Sequence, residues 1–142
     1  MLGYNLRDGQ ANATIALPAS AGAAHTPAID LGEANQGSSS TAHGDMVAEC
    51  ELLVTAPSLN ATQLPNSVTA TYQVDQSPDG GNWTTLFSSV IVQTGANASG
   101  ASPATYRTKL PTNVQRYIRS TVTTSANAGN CAGASVLGEL LF

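Results

Sequence analysis

Hydrophobic and polar residues alternate with a period of two along much of this chain, and the alternation predicts strands. In MVAECELLVTA (46–56), Ala48, Cys50, Leu52 and Val54 fall on one side, with Glu49, Glu51, Leu53 and Thr55 on the other. That is the pattern of a half-buried strand. Further on, Tyr72, Val74 and Gln76 alternate with Gln73 and Asp75, and Trp83-Thr84-Thr85-Leu86-Phe87 supplies a strand-prone return arm. Between them lies SPDGGN: Pro78 presets its own φ, Asp79 tolerates turn geometry, and Gly80 and Gly81 accept positive φ. An antiparallel hairpin over about 68–76 and 83–93 follows. Strands are also predicted at HTPAIDL (25–31), ATYRTKL (104–110), QRYIRSTVTTS (115–125) and ASVLGELLF (134–142). ELLVTA and LGELLF tolerate a helix on propensity alone, but both are short, and β-branched residues and glycines flank them.

The connections are polar and rich in Gly, Pro and Asn: GEANQGSSSTAHGD (32–45), PSLNATQLPNS (57–67) and TGANASGASP (94–103). Seven to eight strands at fairly regular spacing, with no convincing helix, predict an all-β fold, an antiparallel β-sandwich or barrel. The first 24 residues, containing QANATIALPASAGAA, are small, Ala-rich and poorly periodic, and read as an extended N-terminal arm. Residues 25–142 read as a single sandwich domain.

Composition changes the picture of the surface. Charged residues make up 10% of the 142, against roughly a quarter in an ordinary soluble domain. Ser, Thr, Asn, Ala and Gly replace them, giving a polar but uncharged surface that suits a subunit living against neighbours, since association interfaces exclude Lys and Glu. The net charge of −4 hides an asymmetry: residues 1–100 carry eight acids against Arg7, whereas Arg107, Lys109, Arg116 and Arg119 face only Glu139 in the remainder. Four cations with no Lys/Arg run and no interleaved aromatic platform do not make a nucleic-acid site. They suit an acidic protein neighbour, or a solvated strand face, better.

No stretch approaches the length of a membrane span, and the opening LGYNLRDGQ has neither a positive n-region nor an apolar h-region, so no secretory signal is expected. The sequons at Asn12, Asn60, Asn82 and Asn97 arise by chance in a chain this rich in Asn, Ser and Thr. His25 and His43 lack a second ligand at metal-site spacing, so no metal or cofactor is expected. Ser38 to Ser40 lack the context of an activated nucleophile. Glu49 and Glu51 share a strand face, at a spacing open to paired-carboxylate chemistry, but such a pair is more often a solvated face. Cys50 and Cys131 have no CxxC partner, and a disulfide between them is open. Enzyme activity is not expected.

SVTATYQVDQSPDGGNWTTL and QRYIRSTVTTSANAGNCAGASVLGELLF resemble the core of the small jelly-roll decoration or cement proteins of tailed bacteriophages, in particular the family similar to the Bordetella phage cement protein. The shared plan is a hairpin closed by a Gly-rich turn, an aromatic-aliphatic-Arg strand (here Tyr117-Ile118-Arg119), a Gly-rich turn and a final apolar strand. The resemblance covers residues 46–142. It implies a jelly roll on the outer surface of the capsid, holding joints between major capsid subunits, with no catalytic residue. Its partners would be the major capsid protein and further copies of itself, as a dimer or trimer, in a virion assembled from protein made in the host cytoplasm. Candidate contacts are Tyr4, Leu6, Arg7 and Ile15 on the arm, and Arg107, Lys109, Arg116 and Arg119 toward acidic capsid loops. The hairpin also resembles the S-x-DG-x-x-W segment of discoidin-type and fibronectin-type sandwiches. On that alternative, Tyr72 and Trp83 form a sugar-stacking platform beside Asp79, in a glycan-binding or cell-surface-binding module of a head fibre or tail.

Overall fold

A computed structural model describes residues 12–32 and 50–141. Among these residues the chain forms β1 (Asn12–Ala16), β2 (Gly22–His25), β3 (Ile29–Asp30), β4 (Glu51–Ala56), β5 (Thr69–Ser77), β6 (Thr84–Thr94), β7 (Ala104–Lys109), β8 (Tyr117–Thr124) and β9 (Ser135–Leu141). One antiparallel sheet has the order β1-β9-β4-β7, the other β2-β8-β5-β6, with β3 also on β8. Strands of the first half therefore pair with their mirror images in the second: β1 with β9, β2 with β8, β4 with β7 and β5 with β6. A long hairpin rolled into two facing sheets produces this nesting, and it is the jelly-roll form of the β-sandwich.

Period-two alternation is the cause of the layering. Leu52, Val54 and Ala56 of β4 face Ala70, Tyr72 and Val74 of β5 through a core that also takes Ile118, Val122, Val136 and Leu140. Their neighbours Glu51, Leu53 and Thr55, or Gln73 and Asp75, point away, because successive side chains of a strand leave opposite faces. Burying one such aliphatic side chain stabilises by roughly 1.5–3 kcal/mol, so the parity of β4 and β5 fixes which face turns inward.

The N-terminal region departs from expectation. Over 12–24 it is not an extended arm: β1 adds an edge to the first sheet, β2 an edge to the second, and Ala13 and Leu17 are buried. These segments were hard to see because edge strands of five and four residues draw their order from a partner's backbone groups, with small Ala and Thr side chains in place of an apolar stripe. Tyr4, Leu6 and Arg7, the 33–45 loop with Ser38 to Ser40 and His43, and Glu49 lie outside the described residues.

One end of the sandwich is closed by the 57–65 segment. Asn60 Oδ1 accepts hydrogen bonds from the Thr62 and Gln63 amides and the Thr62 hydroxyl, while the Asn60 amide donates to Gln63 Oε1 at 2.9 Å. Reciprocal capping of this kind fixes a turn without help from elsewhere. Gly129 then lies flat on it, donating its amide to Gln63 O at 2.9 Å. A Cβ at Gly129 would overlap the Thr62 carbonyl oxygen. Gln93 ties β6 to the same end: its amide nitrogen donates to Pro57 O and Ser102 O, each at 2.7 Å, and its Oε1 accepts from the Tyr72 hydroxyl at 2.7 Å.

Candidate functional site

The opposite end carries the hairpin of β5 and β6, and its turn is tied by side chains as well as by backbone preference. Asp79 Oδ1 accepts from the Gly81 and Asn82 amides at 2.9 and 2.8 Å and from the Ser77 hydroxyl, and Oδ2 accepts from Asn82 Nδ2 at 2.7 Å. The Asn82 and Gly81 amides, followed by the Asn82 and Ser77 side chains, hold the Asp79 carboxyl well below the usual carboxylate range. Gly80 has φ of 75°, a left-handed conformation that favours glycine. Trp83 Nε1 donates back to Gly80 O at 3.2 Å, which folds the indole over the outer face of the second sheet.

There the Trp83 ring meets Arg119, whose guanidinium carbon sits 4.1 Å from the ring centroid. Arg119 Nε also approaches Asp75 Oδ2 at 3.5 Å. Asp75 is buried, and its carboxylate accepts from Thr121 Oγ1 at 2.6 Å and Gln73 Nε2 at 2.8 Å. His25 Nδ1 lies 2.9 Å from Thr121 Oγ1. A carboxylate can only accept, so the Thr121 proton points to Asp75 and the proton between Thr121 and His25 belongs to the imidazole. His25 is thereby set as the Nδ1–H tautomer, with Nε2 as its free acceptor. Burial and then the Arg119 charge lower the His25 pKa, against a smaller opposing pull from Asp75. This chain orders residues 25, 75, 119 and 121, but the hydroxyl proton is committed to the carboxylate. Thr121 is not arranged as a nucleophile beside a base.

The expected site residues separate. Tyr72 is fully buried and on the opposite side of β5 from Trp83, so the two do not form a sugar-stacking platform. Burial, reinforced by Cys131, raises its phenol above the ordinary tyrosine range. Trp83 is half-buried, one face against Arg119, and Asp79 serves the turn. The three arginines are each held by an acid of the same chain: Arg107 pairs with Glu51, Arg116 forks onto Asp30 at 2.9 and 2.7 Å, and Arg119 reaches Asp75. Side-chain exposures of 61% and 47% leave Arg107 and Arg116 within reach of a neighbour, whereas 19% at Arg119 does not. Lys109 is exposed on β7, and Ile15 of β1 packs partly against the core instead of projecting from an arm. Cys50 and Cys131 are buried thiols with no disulfide between them, and Cys131 donates to Gln63 O at 3.3 Å.

Sequence reasoning missed Asp75, Thr121 and His25 as a group, because three strands far apart in the chain bring them together. It also missed a larger feature of the same sheet. Thr71 stands opposite Thr123 on one side and Val92 on the other, and Thr123 stands opposite Ala23. Ala23, Thr123, Thr71 and Val92 thus form an uncharged row on the outer face, crossing all four strands from edge to edge. A shallow groove of about 340 Å³, with a mixed polar and apolar lining, lies at the far end of the molecule between 58–60 and 99–103. Among the described residues no three His, Cys, Asp or Glu side chains gather in a group able to hold a metal ion. No protein-family model and no curated protein sequence matches the chain.

Proposed function

We propose that the protein is a structural component of a bacteriophage virion, a decoration or cement subunit that binds the outer surface of the head and reinforces contacts between major capsid subunits. The observation that carries the reading is the uncharged row of Ala23, Thr123, Thr71 and Val92 across the outer face of the second sheet. A row of this kind loses little on desolvation when pressed against another protein, since it contains no ion that must be stripped of water. The cations near it are already neutralised by acids of the same chain. That arrangement suits fixed contacts made over area better than a site that captures a charged ligand. The cross-braced hairpin and the capped 57–65 end give the subunit the stiffness that a load-bearing position requires.

The test is co-sedimentation of the purified protein with expanded phage heads that lack their decoration protein. Saturable binding, weakened by Thr71→Lys or Thr123→Lys on the uncharged row, is the expected result. Absence of binding at saturating concentration sinks the proposal. It would turn attention to a glycan-binding role, with Trp83→Ala as the control.

A further inference from the structure

The two sheets present four edges, and three carry the devices by which sheet proteins avoid pairing with other chains. Strands β1 and β2 are five and four residues long, and β7 displays Arg107 and Lys109. Short edges and outward charges both discourage a foreign strand. The fourth edge differs. Strand β6 runs eleven residues, TTLFSSVIVQT, without a charge or a proline, and among the described residues only β5 pairs with it. Its one protective device is a bulge, where Ser89 has φ of 49° and the register against β5 shifts. The bulge leaves the second arm straight: Ile91, Val92, Gln93 and Thr94 pair regularly with Tyr72, Thr71, Ala70 and Thr69. That arm carries Val92, which is 54% exposed and is the one exposed large hydrophobic residue among the described residues.

We infer that the Val90–Thr94 arm of β6 pairs antiparallel with the same arm of a second copy, about a twofold axis at Val92. Self-pairing here opposes no like charges, whereas the equivalent pairing through β7 would set Arg107 and Lys109 against their own copies. The axis places Val92 beside its symmetry mate, so that each shields one flank of the other from water. It also joins two uncharged rows into one that crosses both subunits. Phe87 and Tyr106, with ring centroids 6.4 Å apart, bridge the two sheets on this flank, so β6 is backed by packed side chains when a partner approaches. The contact is isologous, as closed dimers require. It shares with the capsid reading only the expectation that copies associate.

Sedimentation velocity and native mass spectrometry over a concentration series test it. The wild-type chain is expected to pass from monomer to dimer. Val92→Lys, which places two like charges across the axis, is expected to weaken the dimer by about tenfold or more, while Thr105→Lys on β7 leaves it unchanged. Should V92K fail to fold, Val92→Cys with a short bis-maleimide linker decides: the native thiols are buried, and covalent dimer through position 92 is the expected product. A monomer at every concentration, a dimer indifferent to V92K, or a folded V92C that does not cross-link overturns the inference. Monomers that still decorate heads would overturn it alone and leave the capsid reading in place.

Discussion

Gln93 is a polar side chain at an inward position of the edge strand β6, and replacing it with leucine isolates what its hydrogen bonds contribute. The residue is 4% exposed and serves three partners at 2.7 Å: the Tyr72 hydroxyl, Pro57 O and Ser102 O. Leucine keeps most of the volume and strands all three. A buried donor left without an acceptor costs roughly 1–3 kcal/mol, and Tyr72 is fully buried, so the upper part of that range applies to it. Pro57 and Ser102 are partly open to solvent, and each carbonyl recovers some water, at a loss of about 0.5 kcal/mol apiece. Gln93→Leu should therefore destabilise by about 3 kcal/mol, a large share of the 5–15 kcal/mol that holds a typical domain. Tyr72→Phe removes the hydroxyl but leaves Gln93 its two donated bonds, and should cost about 1–2 kcal/mol. In the double variant, hydroxyl and acceptor vanish together, so the combined loss should fall short of the sum by about 1 kcal/mol. Urea unfolding followed by circular dichroism measures all four proteins. Additivity within about 0.5 kcal/mol, or a Gln93→Leu variant as stable as wild type, would refute the claim that Gln93 ties β6 to the closed end.

Three further outcomes follow from the same structure. His25 has a folded pKa below its unfolded value near 6.5, so its contribution is fully present above that value and is lost as pH falls through it toward the folded pKa; the urea midpoint should drop across this window, and His25→Asn should flatten the drop. Gly129→Ala drives a methyl group into the Thr62 carbonyl, a backbone contact that cannot yield as a flexible side chain would, and should cost about 3 kcal/mol or more; a thermal midpoint equal to wild type would contradict the packing described. Cys50 and Cys131 are both buried, and burial raises the Cys131 thiol, so neither should react with a thiol reagent until urea unfolds the chain, whereupon both should be labelled in one step.

Legibility in the sequence followed the strength of local chemistry. The β5–β6 hairpin was readable because Pro78, Asp79, Gly80 and Gly81 force a turn and the flanking parity is strict, and it stands within a residue of its expected bounds. Parity along β5 also pointed Tyr72 the same way as Val74, and the core position of Tyr72 is where that parity leads. Trp83 could not be placed the same way, since it leaves the turn before β6 resumes its alternation, and a long-range partner, Arg119, decides its side. β1 and β2 were illegible because Ala, Gly and Thr alternate no hydrophobicity, and only the neighbouring β9 and β8 make strands of them. The pairing of Arg107, Arg116 and Arg119 with Glu51, Asp30 and Asp75 was hidden for a related reason, each partner standing more than 40 residues away. What remained in view as a basic C-terminal third is, in the fold, a set of neutral pairs with Lys109 beside them.

The central claim is that this sandwich works by covering another protein surface, and electron cryomicroscopy of decoration-free expanded heads mixed with the purified protein tests it most directly. The account predicts ordered density for the sandwich at fixed positions of the outer lattice, with the uncharged row of Ala23, Thr123, Thr71 and Val92 inside a contact. Bare lattice positions at saturating protein, or bound protein with that row facing solvent, would contradict it.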